Sequence, residues 1–185
     1  AFTQVLIGAA VLVVPVYFLL SQSDLLGGLL IVMMLGLVAY FIYSGVASGE
    51  KEQLHRYIAM LILFVANILF WALFEQAGSS LSLFADRFTA THVGGMEVPS
   101  SWYQAANPIF VIVLAPVFAL IWTRLGARQP SSPMKFTLGL FFLALGFSLM
   151  IPAARLAAEG RVSPLWLLGL YLLQTMGEMC LSPVG

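Results

Sequence analysis

Charge is scarce in this chain. Eight Lys and Arg and eight Asp and Glu make up 9% of 185 residues and cancel in sign. A soluble domain carries about 25% charged residues. With no positive excess there is no electrostatic case for nucleic acid as a partner. Cysteine is nearly absent. Cys180 alone excludes an internal disulfide and a cysteine-rich metal site. His55 and His92 lie too far apart in sequence to form a ligand-spaced pair, so no metal is expected. The chain also lacks a phosphate-cradling P-loop, a Rossmann glycine pattern, a zinc-binding HExxH helix and a nucleophile elbow. Ser79-Ser80 has no histidine at a suggestive place. Catalysis therefore has no foothold, and neither an enzyme nor an organic cofactor is expected.

What is present is apolar surface. Hydrophobic residues make up 61% of the chain, against about 45–50% in a soluble domain. No soluble core of this size could bury so much, so lipid must be the solvent for most of it. The start at Ala1 shows no basic n-region and no small-residue cleavage site, which argues against a signal peptide. The chain stops at Gly185 inside LSPVG without a polar tail. Both ends read as cuts, and a fragment of a longer membrane protein is expected.

Six apolar segments can be marked: Val5–Leu20, Leu25–Tyr43, Tyr57–Phe74 with a continuation to about Phe84, Pro108–Trp122, Phe136–Ala154, and Leu165 to the end. A membrane helix needs roughly 20 residues to cross about 30 Å. The first and fourth reach that length only with their flanks. Barrel strands would be shorter and alternate in polarity, so an all-α polytopic membrane protein is expected. Water is absent from a bilayer to satisfy open backbone, and we expect no strand anywhere in 51–185. Gly49-Glu50-Lys51-Glu52 divides the chain into a helical hairpin, 1–48, and four further helices, 49–185, at about 55–86, 105–125, 134–156 and 164–185. Lys51, Arg56, Arg124, Arg128 and Lys135 fall on one side of the membrane, and Arg87, Arg155 and Arg161 on the other. The positive-inside bias places loops 49–56 and 124–135 in the cytoplasm.

Polar groups inside these segments are candidates for function. On the third helix, Asn67, Trp71, Glu75, Gly78, Ser79 and Ser82 fall within about 120° of arc at helical spacing. The stripe suits a water-lined path. The alternative is close packing by the small residues, with Trp71 at the interface. Glu75 is about 27 Å along the axis from Tyr57, toward the outer side. On the sixth helix, Tyr171, Thr175, Glu178 and Ser182 fall within about 60° of one another. Glu178 lies about 21 Å beyond Pro164, deep in the membrane. A carboxylate there must be paired, protonated or bound to a cation. A structural ion pair with a helix outside the chain is the competing reading. Asn107 either caps the fourth helix or contributes to a site. Tyr171 is either a site residue or a packed aromatic with a satisfied hydroxyl.

Four motifs then carry a resemblance. Phe70-Trp71…Phe74-Glu75-Gln76…Gly78-Ser79-Ser80-Leu81 resembles the seventh-helix motif of the proton-dependent oligopeptide transporters, the POT or PTR family. Pro99-Ser-Ser-Trp-Tyr-Gln-Ala-Ala-Asn107-Pro108 resembles their entry into the eighth helix. Pro133-Met-Lys135-Phe136 with Gly139 resembles the start of the ninth. Gly177-Glu178…Leu181-Ser182-Pro183-Val184-Gly185 resembles the tenth. The resemblance covers about 51–185. Residues 3–47 resemble, by position, the extra helical hairpin of bacterial members.

The family implies part of a major-facilitator fold with alternating access. It implies proton-coupled symport of di- and tripeptides across the cell's inner, cytoplasmic membrane. The expected partners are peptides, protons as the coupling ion, the lipid bilayer and the parent's remaining helices. The resemblance makes Glu178 the acceptor for the peptide ammonium, helped by Asn107. It places Trp71, Ser182 and Tyr171 around the substrate and makes Glu75 a proton-coupled gate. A transporter of another small solute, or a membrane scaffold without transport, is the alternative.

Overall fold

The computed structural model describes residues 8, 11, 13, 15–18, 21–90, 92–93 and 96–181. Of the first apolar segment, Val5–Leu20, residues 15–18 are helical, and most of the rest lies outside the described residues. The chain divides into two units, Ala1–Leu61 and Ile62–Gly185.

In the first unit, α1 (Ser23–Ala47) is apolar on every side and buries only Gly45. A helix with no polar face is a membrane span rather than a surface helix. Helix α2 (Lys51–Phe74) begins after a sharp turn, where Gly49 takes φ +70°. A Cβ on Gly45 would meet Leu54 Cδ1 at 2.9 Å, so glycine is what lets these two helices touch. The Phe41 and Tyr57 rings also meet, tilted by 49° with centroids 5.3 Å apart.

In the second unit the chain continues from α2 through a 3-10 turn (Glu75–Gly78) into α3 (Ser80–Phe88). A short helix α4 (Ser101–Gln104) then leads into α5 (Ala106–Leu125). Helix α6 (Ser132–Leu156) and helix α7 (Leu165–Leu181) complete the unit. Pro108 lies in the first turn of α5, where its missing N–H leaves no gap. Among the described residues, Ser23–Ala47, Lys51–Phe88, Ser101–Arg128 and Ser132–Leu156 are long and apolar enough to cross a membrane. The chain is a polytopic helical membrane protein.

Two expectations need correction. First, the segment 51–185 is not wholly helical. His92–Val93 (β1) and Met96–Glu97 (β2) pair antiparallel, with His92 opposite Glu97 and Val93 opposite Met96. The rule against open strands holds only inside hydrocarbon. These residues lie between spans, where water satisfies the outer edges. Second, the polar stripe of the third helix does not run on at helical spacing. The α-helix ends at Phe74, and Ser79 leaves helical backbone with φ −124° and ψ −92°. Gly78, Ser79 and Ser82 thus do not follow Asn67 and Trp71 at α-helical spacing. The sequence explains the break. Ser hydroxyls compete for hydrogen bonds, and Gly weakens a helix interior. Gln76 fastens it: its Nε2 donates to Ala72 O at 3.2 Å. Its Oε1 accepts from the Ser79 and Ser80 hydroxyls.

Helices α6 and α7 form the tightest pair. A Cβ on Gly177 would lie 2.8 Å from Gly139 O, and one on Gly146 would lie 3.0 Å from Leu170 Cδ1. Lipid gives no hydrophobic drive for helices to associate, so small residues that admit backbone contact supply the attraction. Leu81 and Ala85 of α3, Tyr103, Ala106, Met150, Ala153, Leu167, Leu170 and Tyr171 fill the core around one end of α7. Phe70, Leu143 and Leu181 fill it around the other. A backbone clasp closes the first end. Val162 N donates to Phe88 O at 2.8 Å, Ala90 N donates to Val162 O at 2.9 Å, and Tyr103 Oη donates to Ala90 O at 3.2 Å.

Candidate functional site

The site is built on α7. Tyr171, Gln174, Thr175 and Glu178 follow the i, i+3, i+4, i+7 pattern that puts side chains on one face. The Gly139–Gly177 contact pins this helix one residue before Glu178. Glu178 is half-buried, and its Oε2 is buried with no hydrogen-bond partner among the described residues. A carboxylate oxygen left in this way has unused acceptor capacity.

Asn107 joins this face from α5. It does not cap that helix, because α5 begins at Ala106 and its cap position, Ala105, makes no side-chain bond. Instead the Asn107 amide meets the Thr175 hydroxyl at 2.6 Å, across 68 residues of sequence. The same hydroxyl lies 2.8 Å from Tyr171 O, one turn back on its own helix. A hydroxyl carries one proton, so it donates to one of these partners at a time. The shorter contact has the hydroxyl donating to Asn107 Oδ1. An amide oxygen has two lone pairs, so Asn107 Oδ1 keeps one for a further donor.

Tyr171 is 1% exposed and belongs to the core, yet its hydroxyl has no partner among the described residues. It is a packed aromatic, but not one with a satisfied hydroxyl. Gln174, absent from the sequence reading, is 1% exposed, and its Nε2 is also buried without a partner. Its signal was the four-residue step to Glu178.

Trp71 is partly exposed on α2. It packs edge-on against Phe70 and Phe74, with centroids 5.6 and 5.2 Å away. Phe70 in turn approaches Gly177: a Cβ there would lie 3.2 Å from Phe70 Cε2. Trp71 and Glu178 are therefore chain neighbours of two residues that touch. Glu75 opens the 3-10 turn and is exposed. The structure thus gathers Tyr171, Thr175, Asn107 and Glu178, and sets Trp71 and Glu75 on a separate helix. Ser182 lies outside the described residues. Among the described residues, no three His, Cys, Asp or Glu side chains converge as a metal site would require.

Comparison with known proteins bears on family and fold. The sequence model of the PTR2 (POT) family matches residues 16–185. A peptide transporter, YePEPT, of Yersinia enterocolitica is 43% identical over 152 residues, covering 79% of this chain and 30% of the relative. The dipeptide and tripeptide permease B of Salmonella typhimurium is 33% identical over 184 residues, covering 98% of this chain and 37% of the permease. A crystal structure of a POT peptide transporter in complex with sulfate superposes with a TM-score of 0.76 at 38% identity. It covers 96% of this chain and 37% of that one. The chain thus spans about a third of the length of these relatives. The partial major-facilitator fold that the resemblance implies is the fold found. Family profile, relatives and fold agree, and the chain belongs to the POT family of transporters.

Proposed function

We propose that this chain is part of a proton-coupled symporter of di- and tripeptides that works by alternating access. Its relatives are named as peptide transporters, and the chain spans about a third of their length. In this reading residues 1–48 are the inserted hairpin and 49–185 the first four helices of the C-terminal bundle. The protein sits in the cytoplasmic membrane, with loops 49–56 and 124–135 on the cytoplasmic side.

One observation carries the proposal. Glu178 holds an unpartnered, buried carboxylate oxygen on the face of α7 that Thr175 ties to Asn107. A free peptide ends in an ammonium, which has three donors and no acceptor. Glu178 supplies the charge it needs, and the second lone pair of the Asn107 oxygen supplies another acceptor. A bond from carboxylate to ammonium is charge-assisted. Trp71 would offer peptide side chains a broad apolar face with one donor, and Ser182 and Tyr171 would flank the amine. Glu75 sits where the third helix loses α-helical form. A carboxylate at a break in the helix suits a gate: protonation changes its charge and so the balance between two conformers.

The test is uptake of a labelled dipeptide by the complete transporter in proteoliposomes. Accumulation that requires an inward proton gradient and collapses with a protonophore is expected. Uptake indifferent to the gradient, or absent while another small solute is taken up, overturns the reading.

A further inference from the structure

We propose that the turn between α5 and α6 binds the phosphodiester headgroup of an anionic phospholipid. The proposal starts from Lys135, in the first turn of α6, which is only 7% exposed. Its ammonium stands 4.7 Å from the centroid of the Trp122 ring and donates to Gln129 Oε1 at 3.0 Å. Both partners are neutral. Among the described residues no carboxylate pairs with Lys135. None can come from nearby in sequence either, because no Asp or Glu occurs between Glu97 and Glu159. A buried charge needs a counter-charge as well as hydrogen bonds.

Trp122 points to the same missing anion. Its Nε1 is buried and has no acceptor among the described residues. An indole N–H is a donor only. Gln129 Nε2 already donates to Trp122 O at 2.8 Å, which folds the turn over the ring. Two donors, an ammonium and an indole N–H, therefore share one corner with no anionic acceptor. Arg124 and Arg128 stand exposed on the same turn.

The chemistry that fits is a monoanion with two accepting oxygens. A phosphodiester has both, and in a net-anionic lipid no choline ammonium offsets that charge or is brought against the exposed Arg124 and Arg128. The turn connects two membrane-spanning stretches, Ser101–Arg128 and Ser132–Leu156, so it stands at the hydrocarbon boundary. Headgroup phosphates lie at that depth, tryptophan is enriched there, and basic pockets between helix ends hold acidic headgroups. The exposed Met134 beside Lys135 offers apolar surface to an acyl chain. Gln129, itself exposed, is the group a phosphate oxygen would displace from the ammonium. Inorganic phosphate shares the headgroup chemistry but has no acyl chain to hold it at the boundary.

The complete transporter, purified in detergent, is titrated separately with phosphatidylglycerol, phosphatidylcholine and inorganic phosphate. Retained lipid is counted by native mass spectrometry, and Tm is followed in parallel. Phosphatidylglycerol is expected to be retained and to raise Tm, while phosphatidylcholine and phosphate do neither. Loss of one charge-assisted bond corresponds to roughly 10- to 150-fold weaker retention, and Lys135→Gln should show it. Trp122→Phe keeps the ring and removes only the N–H, so a smaller loss is expected. Arg56→Gln, which removes an exposed arginine paired with Glu52, should retain lipid as the wild type does.

Full retention by Lys135→Gln overturns the proposal. So does a Tm loss in Lys135→Gln that is equal with either lipid, which would show that the ammonium pairs with a carboxylate elsewhere in the transporter. Stabilisation by inorganic phosphate alone would overturn the lipid assignment. If Lys135→Gln does not fold, Trp122→Phe decides: unchanged phosphatidylglycerol retention contradicts the site.

Discussion

Glu75 and Glu178 are both carboxylates in apolar helices, and their surroundings are opposites. Glu178 follows a glycine whose backbone rests against Gly139 of the next helix. Its helix runs unbroken from Leu165 to Leu181. Glu75 begins a 3-10 turn where the α-helix is interrupted, and a Cβ added at Gly78 would meet nothing within 4 Å. One carboxylate stands on an unbroken helix pinned by a glycine contact and the other at a break in α-helical backbone. A site that must recognise a ligand needs its groups held in place. A group that biases two conformers belongs where the backbone can move.

The comparison can be broken at its rigid side first. Gly177→Leu places a side chain where even a Cβ would be 2.8 Å from a backbone oxygen. The helices must separate, and overpacking of this kind costs about 1–3 kcal/mol or more. We expect a lower Tm together with lost dipeptide binding, read by thermal shift and by radioligand binding. Gly177→Ala should fall between this variant and wild type.

Thr175→Val cuts the tie to Asn107 while keeping the side-chain shape. A neutral hydrogen bond is worth about 0.5–1.5 kcal/mol net, so dipeptide affinity should fall roughly 2- to 10-fold. Competition binding checks it. No change would mean that Asn107 is held by other contacts.

On the other side, Glu75→Gln should slow proton-driven uptake and leave counterflow exchange nearly intact. Equal wild-type rates in both assays would remove Glu75 from the gate. The smallest effect belongs to Gly78→Ala. With open space around it and no positive φ, it should shift stability by less than about 0.5 kcal/mol. A large loss of transport with unchanged Tm would show that the break needs its glycine for motion.

Much of this was legible in the sequence, for physical reasons that differ by residue. The spans read directly because lipid imposes a minimum apolar length. The shared face of Tyr171, Thr175 and Glu178 followed from helical spacing, and the start of α7 from Pro164 just before it. The break was not legible. Glu75, Gly78 and Ser79 keep the helical spacing on paper, and nothing in that spacing says that Gln76 will satisfy a break. The ribbon at His92–Val93 and Met96–Glu97 is too short to show alternation. Asn107 and Thr175 meet across 68 residues, and no local spacing encodes such a pair. Gln174 was visible by spacing from Glu178, but its importance lies in a buried, unpaired nitrogen that only packing shows.

The central claim is that Glu178 receives the peptide ammonium, and ligand chemistry tests it most directly. Binding of a dipeptide and of its N-acetylated form is measured to the wild-type transporter and to Glu178→Gln. Loss of a charge-assisted bond of about 1.5–3 kcal/mol predicts roughly 10- to 150-fold weaker binding of the free dipeptide. The acetylated peptide, which carries no ammonium, should change far less. Equal losses for both ligands would contradict the account and make Glu178 a member of a structural ion pair.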